Sequence, residues 1–209
     1  MGIWAADTME ACMEDRFLAE RHIAELSAAQ REDLLRRSWM ANDGLWFYRA
    51  FTDYGHEVAN TMNVAVVHEF GRLEMRRLMR ELGITQVTSW QQYRELFTLA
   101  AGLYVGDLFS YDEEFVSGVH HIRVKTCFAY TGVARAGVAE VYHCGPFERV
   151  RGWFQALKLT VTISPEVGLC QMAHSGQCGY SLSVELSQLL PPDSVPATGT
   201  ENGTPSVAP

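Results

Sequence analysis

The residues with the most chemical potential in this chain lie between Cys127 and Ser187. Four of its five cysteines, Cys127, Cys144, Cys170 and Cys178, fall there, with His143 and His174 among them. The spacing is C-x16-C-x25-C-x7-C. It contains no C-x2-C pair, so the usual sequence signature of a structural zinc site is missing. Three fates stay open for these thiols. They can be small buried hydrophobes. One can be a reactive thiolate. Or soft N/S ligands can hold zinc, with Cys170, His174 and Cys178 bracketing one turn. For thiol chemistry Cys144 is the first choice of nucleophile. His143 stands next to it as a general base, and Pro146 opens a helix just beyond, where the dipole favours negative charge. Cys127 is the second choice, at a strand end that runs into a helix, with His121 as the alternative base. At least three of the four cysteines are expected in one site, with His143 or His174 beside them and one thiol pKa depressed.

The elements that must position these groups change character along the chain. Residues 1–26 read as a helical lead-in, with an amphipathic stretch from Ala11 to Leu26. Ser27 and Gln30 make a capping box for a first helix, in which Trp39 and Trp46 share a face as expected core anchors. Asn42, Asp43 and Gly44 interrupt its apolar run. Asp43 there can offer a carboxylate and Trp46 a wall to a ligand, or the interruption is a local break. A second helix is expected from about Glu57 to Leu82, ended by Gly83, with Val58, Met62 and Val66 on its core edge. The alternation of Arg72, Arg76, Arg77 and Arg80 with Glu69, Glu74 and Glu81 reads as a solvated face. A third helix follows Thr88 or Ser89 and carries the aromatic stripe Trp90, Tyr93, Phe97 and Tyr104. DLFSYDEEF reads as a polar connection.

From Glu114 the period falls to two. His120, Ile122, Val124 and Thr126 point one way, and His121, Arg123, Lys125 and Cys127 the other. Two short helices, FAYTGVARAG and PFERVRGWFQAL, follow, then three strand-like runs, KLTVTI, EVGLCQM and CGYSLSVEL, the last two expected to form a hairpin. Residues 188–209 are rich in Pro, Gly, Ser and Thr and are expected to be disordered. The fold class is therefore α+β, an N-terminal helical layer packed on a mainly antiparallel sheet, with one domain over 27–187.

The chain has 209 residues, 47% hydrophobic, and a formal net charge of -8. That charge disfavours a nucleic-acid partner. No stretch approaches a membrane span or a secretory signal, and five cysteines do not make a complete disulfide framework, so a cytoplasmic location without a membrane partner is expected. No G-x-S-x-G, P-loop or G-x-G-x-x-G motif is present. The expected partner is a small-molecule ligand, and self-association into a homo-oligomer is left open.

The run RRSWMANDGLWFYRAFTDYG, followed by EFGRLEMRRLMRELGI, resembles an uncharacterised family of bacterial cytosolic proteins with a D-G-L-W-F helix, here Asp43 to Phe47. Cys127, Ala134–Arg135 with Gly137, Cys144, Ile163-Ser164-Pro165, Cys170 and Cys178 extend that resemblance. This later pattern is similar to L-2-amino-thiazoline-4-carboxylic acid hydrolase-like proteins. The resemblance implies a hydrolase acting on a small C–N or thiazoline-like ring through a cysteine nucleophile. Arg123 or Arg135 would then anchor a substrate carboxylate. The alternatives are a non-catalytic binding or sensing domain, its pocket between the aromatic helices and the sheet, or a zinc-stabilised structural protein.

Overall fold

The computed structural model describes residues 20–185. The expected tail from 188 and the first nineteen residues of the lead-in lie outside the described residues. The chain divides into two compact units at Arg49. In the first, residues 20–25 are helical. The capping box then forms as the sequence predicts: the Ser27 amide donates to Gln30 Oε1 at 2.8 Å and the Gln30 amide to Ser27 Oγ at 3.2 Å. It starts helix α1, Ala28–Glu81. Asn42, Asp43 and Gly44 do not interrupt this helix; the break falls at Gly55, at φ 83° and ψ 170°. An L side chain resists that conformation and glycine does not. Trp39 and Trp46 are not core anchors. Both are exposed, Trp46 by 68%. Helical spacing placed them on one face, but spacing alone does not say what that face meets.

The second unit starts at Ala50 and is an α+β structure. The last part of α1 ends as Gly83 predicts. The amide of Gly83 (φ 66°) donates to the Arg80 carbonyl and that of Ile84 to the Met79 carbonyl. This is the paired-bond C-terminal motif that satisfies otherwise orphaned carbonyls. The buried face of this helix differs from the expected one. Val58, Met62 and Val66 are exposed, while Ala59, Asn60, Val67, Glu74, Met75 and Leu78 are buried.

The reason lies in a close crossing with a later helix, α4, Gly145–Leu157. Gly71 and Gly152 carry no side chain where the two backbones meet. A Cβ on Gly71 would sit 2.1 Å from the Arg149 carbonyl oxygen, and one on Gly152 2.0 Å from that of His68. Glycine contact and a buried Glu74–Arg149 pair set the helix phase, and hydropathy does not register either.

Helix α2, Trp90–Tyr104, is capped by Ser89, whose hydroxyl accepts from the Gln92 amide, and it buries Tyr93, Leu96, Phe97 and Ala100. Strand β1, Phe109–Val116, occupies what the sequence suggested was a polar connection. A two-residue turn, Ser117 and Gly118, both at positive φ, leads into β2, Val119–Cys127. Helix α3 (Phe128–Arg135), α4 (Gly145–Leu157), β3 (Val161–Ser164), α5 (Gln171–Ser175) and β4 (Cys178–Val184) complete the order. The sheet order is β1-β2-β4-β3, every neighbour antiparallel. EVGLCQM is not a strand. Cys170 instead caps α5, and β4 pairs with β3 and β2 rather than with that segment.

The period-two reading of β2 holds from His120 to Lys125: His120, Ile122 and Val124 are buried, whereas His121, Arg123 and Lys125 are exposed. It fails at the strand's end, where the register with β1 shifts, Thr126 is exposed and Cys127 packs against the core. With Tyr180, Leu182 and Val184 of β4, Ile122 and Val124 face Met75, Tyr93, Phe97, Trp153 and Phe154 of the helices, and this is the core.

Candidate functional site

All four described cysteines are free thiols, and three of them hold the same local position. Cys127 is the N-cap of α3, Cys144 of α4 and Cys170 of α5. The fourth, Cys178, starts β4 opposite Val124, three residues before Cys127 on the neighbouring strand. A short antiparallel bridge draws two of the caps together. The Cys144 amide donates to the Gly168 carbonyl at 2.7 Å, and the Cys170 amide to the Tyr142 carbonyl at 2.9 Å. In such extended backbone, successive side chains point to opposite sides. Tyr142 and Cys144 therefore turn inward, while His143 and its bridge partner Leu169 are exposed. Asn60 fastens this segment to α1. Its Nδ2 donates to the Val141 carbonyl at 2.7 Å, and its Oδ1 accepts from the His143 amide at 2.9 Å.

The thiols act on one another electrostatically, Cys127 on Cys144 and Cys178, Cys170 on Cys127 and Cys178. Burial pushes Cys127 up to about 11, against the amides of Tyr130 and Ala129, which favour the thiolate. Burial likewise pushes Cys144 up to about 12, opposed by the Phe147 amide and raised further by Cys127 and Cys178. Cys178 rises to about 12 for the same first reason, with Cys127 and Cys170 adding to it. A desolvated thiol disfavours its anion. The expected depressed thiol pKa is thus reversed for these three.

Against the same inner face lies an apolar pocket between α2, the sheet and α4. Phe97, Phe109, Ile122, Phe147 and Trp153 line it, and Phe128 and Pro146 bring it close in sequence to Cys127 and Cys144. The cavity is narrow, about 40 Å³. Its two ionisable wall residues are Tyr111, which burial pushes up to about 12, and Arg149. Arg149 is paired with Glu74: Nε donates to Glu74 Oε2 at 2.7 Å and Nη2 to Glu74 Oε1.

A family of unknown function (DUF6125) matches residues 25–150, more than half of the chain. The chain belongs to that family. No curated protein and no solved structure matches it. The DUF6125 match takes in α1, α2, the β1–β2 hairpin, Cys127 and Cys144, and stops before Cys170 and Cys178.

In this DUF6125 protein the residues singled out in the sequence separate into groups. The four cysteines come together; the histidines do not join them. Ring contact between His143 and Cys144 is ruled out by the alternation that exposes one and buries the other, so adjacency in sequence is what separates this base from this nucleophile. His174 is half exposed and pairs with Glu140 at 3.4 Å. His121 and Arg123 are on the outer face of the sheet, His121 bonded to Ser181 at 2.9 Å, beside an open polar groove. Arg135 is exposed in the last turn of α3. Asp43 and Trp46 belong to the first unit.

Among the described residues no three His, Cys, Asp or Glu side chains are placed so that they could hold a metal ion, and no helix is long and apolar enough to cross a membrane. Tyr180, Tyr142 and Gln171 join the thiol site without having been foreseen. Tyr180 was within reach of sequence reasoning, because two residues beyond Cys178 on a strand means the same face.

Proposed function

We propose that this DUF6125 protein is a small-molecule binding or sensing domain, and that the ligand places a small apolar or aromatic group in the pocket between α2, the sheet and α4. The observation that carries this reading is the pocket's wall. It is aromatic and aliphatic, and its one charged side chain, Arg149, is already neutralised by Glu74. A site of this kind holds a ligand by burial of apolar surface. It offers no group that could exchange a proton near neutrality, since Tyr111 stays protonated there. The narrow free volume favours a ring or short chain over a bulky ligand.

The alternative is the cysteine hydrolase suggested by the similarity to L-2-amino-thiazoline-4-carboxylic acid hydrolase-like proteins. It requires a Cys144 thiolate with a base in reach. The raised Cys144 pKa and the outward His143 ring support it less than the pocket supports binding.

A series of small phenyl-, indolyl- and alkyl-bearing compounds, titrated into the full chain and read by thermal shift, tests the proposal. Binding should raise the melting temperature, and Ala101→Phe, which fills the pocket, should abolish that rise while the free protein stays folded. Absence of any shift across the series, or shifts that survive Ala101→Phe, would overturn it. Hydrolysis of a thiazoline-ring substrate lost in Cys144→Ser would restore the hydrolase reading.

A further inference from the structure

In the first unit, α1 buries its polar side and leaves its apolar side in water. Between Arg31 and Arg49 the partly or fully buried positions are Asp33, Arg36, Met40, Asp43 and Phe47. Their three- and four-residue steps put them on one face. Leu34, Leu35, Trp39, Leu45 and Trp46 take the remaining side, from 52% exposed at Trp39 to 73% at Leu35. At 3.6 residues per turn these five fall within an arc of about 140°, with the exposed Ser38 and Asn42 among them. Single exposed apolar side chains are ordinary, but a continuous patch marks a contact. Taking up to about 250 Å² for a whole tryptophan and about two-thirds of that for a leucine, these fractions leave on the order of 600 Å² of apolar side chain in water. That equals the largest patches of ordinary monomers, here gathered on one helix. Two such faces in contact would bury about 1,200 Å², the lower bound of a stable protein interface.

The face also complements itself. Antiparallel pairing of two copies, centred at the level of Met40, sets Leu34 opposite Trp46, Leu35 opposite Leu45 and Ser38 opposite Asn42. Apolar ends then meet apolar ends. The two small polar side chains meet each other at the middle, where a polar contact fixes register. At each end Arg49 of one copy comes level with Arg31 and Glu32 of the other, a rim of mixed sign. A two-fold axis needs this kind of self-matching patch. The net charge of -8 works against an anionic lipid surface as the cover. We infer that a second copy of this chain covers the face, so that the protein is a homodimer joined through the α1 segments from Leu34 to Trp46. The inference does not rest on the apolar pocket, whose walls belong to the second unit.

Sedimentation velocity of the full chain, from about 1 to 100 µM, tests it, because a Kd in that range corresponds to about 6–8 kcal/mol. A dimer mass is expected at the top of the range. Trp46→Lys and, separately, Leu35→Lys should each weaken association at least about 100-fold, since the axis repeats every change on both sides. Circular dichroism and the melting temperature of the monomer should match wild type, because both side chains are in water in the single chain. Leu99→Lys, on α2 and 44% exposed, should leave the dimer intact. Should either α1 variant fail to fold, Asn42→Lys, which sets two like charges near the axis, decides in its place. Vesicles of phosphatidylglycerol and phosphatidylcholine should not carry the protein in flotation. A monomer at every concentration, a dimer that survives the α1 variants, or one lost equally in Leu99→Lys would overturn the inference. So would vesicle binding that Trp46→Lys abolishes, which would assign the face to lipid.

Discussion

Two polar centres are buried in the same core, and they are finished to different degrees. At the first, Glu74 and Arg149 are 3% and 7% exposed and pair through two parallel bonds. Trp153 Nε1 donates to the same carboxylate at 3.3 Å, and the Tyr104 hydroxyl donates to the Glu74 backbone carbonyl at 2.9 Å. At the second, four thiols meet the Tyr180 hydroxyl, which acts on Cys144 and on the Gln171 side chain, and no charged partner is among them. The first centre is finished by opposite charge and joins α1 to α4; the second holds neutral groups that burial keeps protonated. A buried ion pair fails when one member is lost, whereas a neutral cluster leaves no charge behind.

Changes at the finished centre should have the largest effect. Arg149→Met leaves the Glu74 carboxylate buried and unpaired, and should cost about 3–5 kcal/mol in urea unfolding. Adding Glu74→Leu should recover most of that loss. If the single variant costs under about 1 kcal/mol, the pair is not the node described.

A third buried group, His120, is also satisfied, and gives an intermediate effect. It is 0% exposed, with Nδ1 3.0 Å from the Tyr93 hydroxyl, Nε2 3.0 Å from Glu113 Oε2, and its ring stacked on Phe115 at 3.9 Å. Burial, with Arg94 and His121 contributing, pushes it from 6.5 down to about 3. The unfolded chain then takes the proton first as the pH falls. Stability from this group is complete above 6.5 and drains away between 6.5 and about 3, at about 1.4 kcal/mol per pH unit. Glu113, whose carboxyl burial holds above its usual value, opposes this in the range just above 4.5. His120→Gln should flatten the pH dependence of unfolding between pH 7 and 5. An unchanged slope would show that His120 already carries a proton in the fold.

The smallest effect belongs to the thiol centre. Tyr180→Phe removes a hydroxyl whose partners are the neutral Cys144 thiol and the Gln171 side chain, so unfolding should cost about 1 kcal/mol less than in wild type. A loss above about 3 kcal/mol would mean that the hydroxyl holds a charged group, and the difference between the two centres would vanish.

Local rules carried the sequence reading as far as local rules reach. The Ser27 capping box, the Ser89 cap, the Gly83 stop and the alternation in β2 each rest on neighbours a few residues apart, and each is present. Cys127, Cys144, Cys170 and Cys178 do act on one another, but the histidine expected beside them is not there: His143 is exposed and His174 pairs with Glu140. Missed features depend on distant partners. Glu74 looked like part of a solvated charged face because Arg149 is 75 positions away. The buried face of α1 uses Gly71 against α4 and Asn60 against the segment before it, where Val58, Met62 and Val66 look better suited to a core. β1 reads as a connection because Asp112, Glu113 and Glu114 break its apolar pattern. Adjacency pairs His143 with Cys144, but extended backbone sends neighbours apart.

Those same three acids on β1 shape how the protein meets other chains. Among the described residues, β1 and β3 are the outer strands of the sheet. An incoming strand would have to lie beside Asp112, Glu113 and Glu114 at one edge. At the other it would find four residues, Val161–Ser164, and then Pro165. Charge, brevity and proline are the means by which sheet proteins discourage edge-to-edge growth. The sheet is thus poorly suited to recruiting further strands, and this resistance to aggregation is built into the very segment whose polarity hid it as a strand.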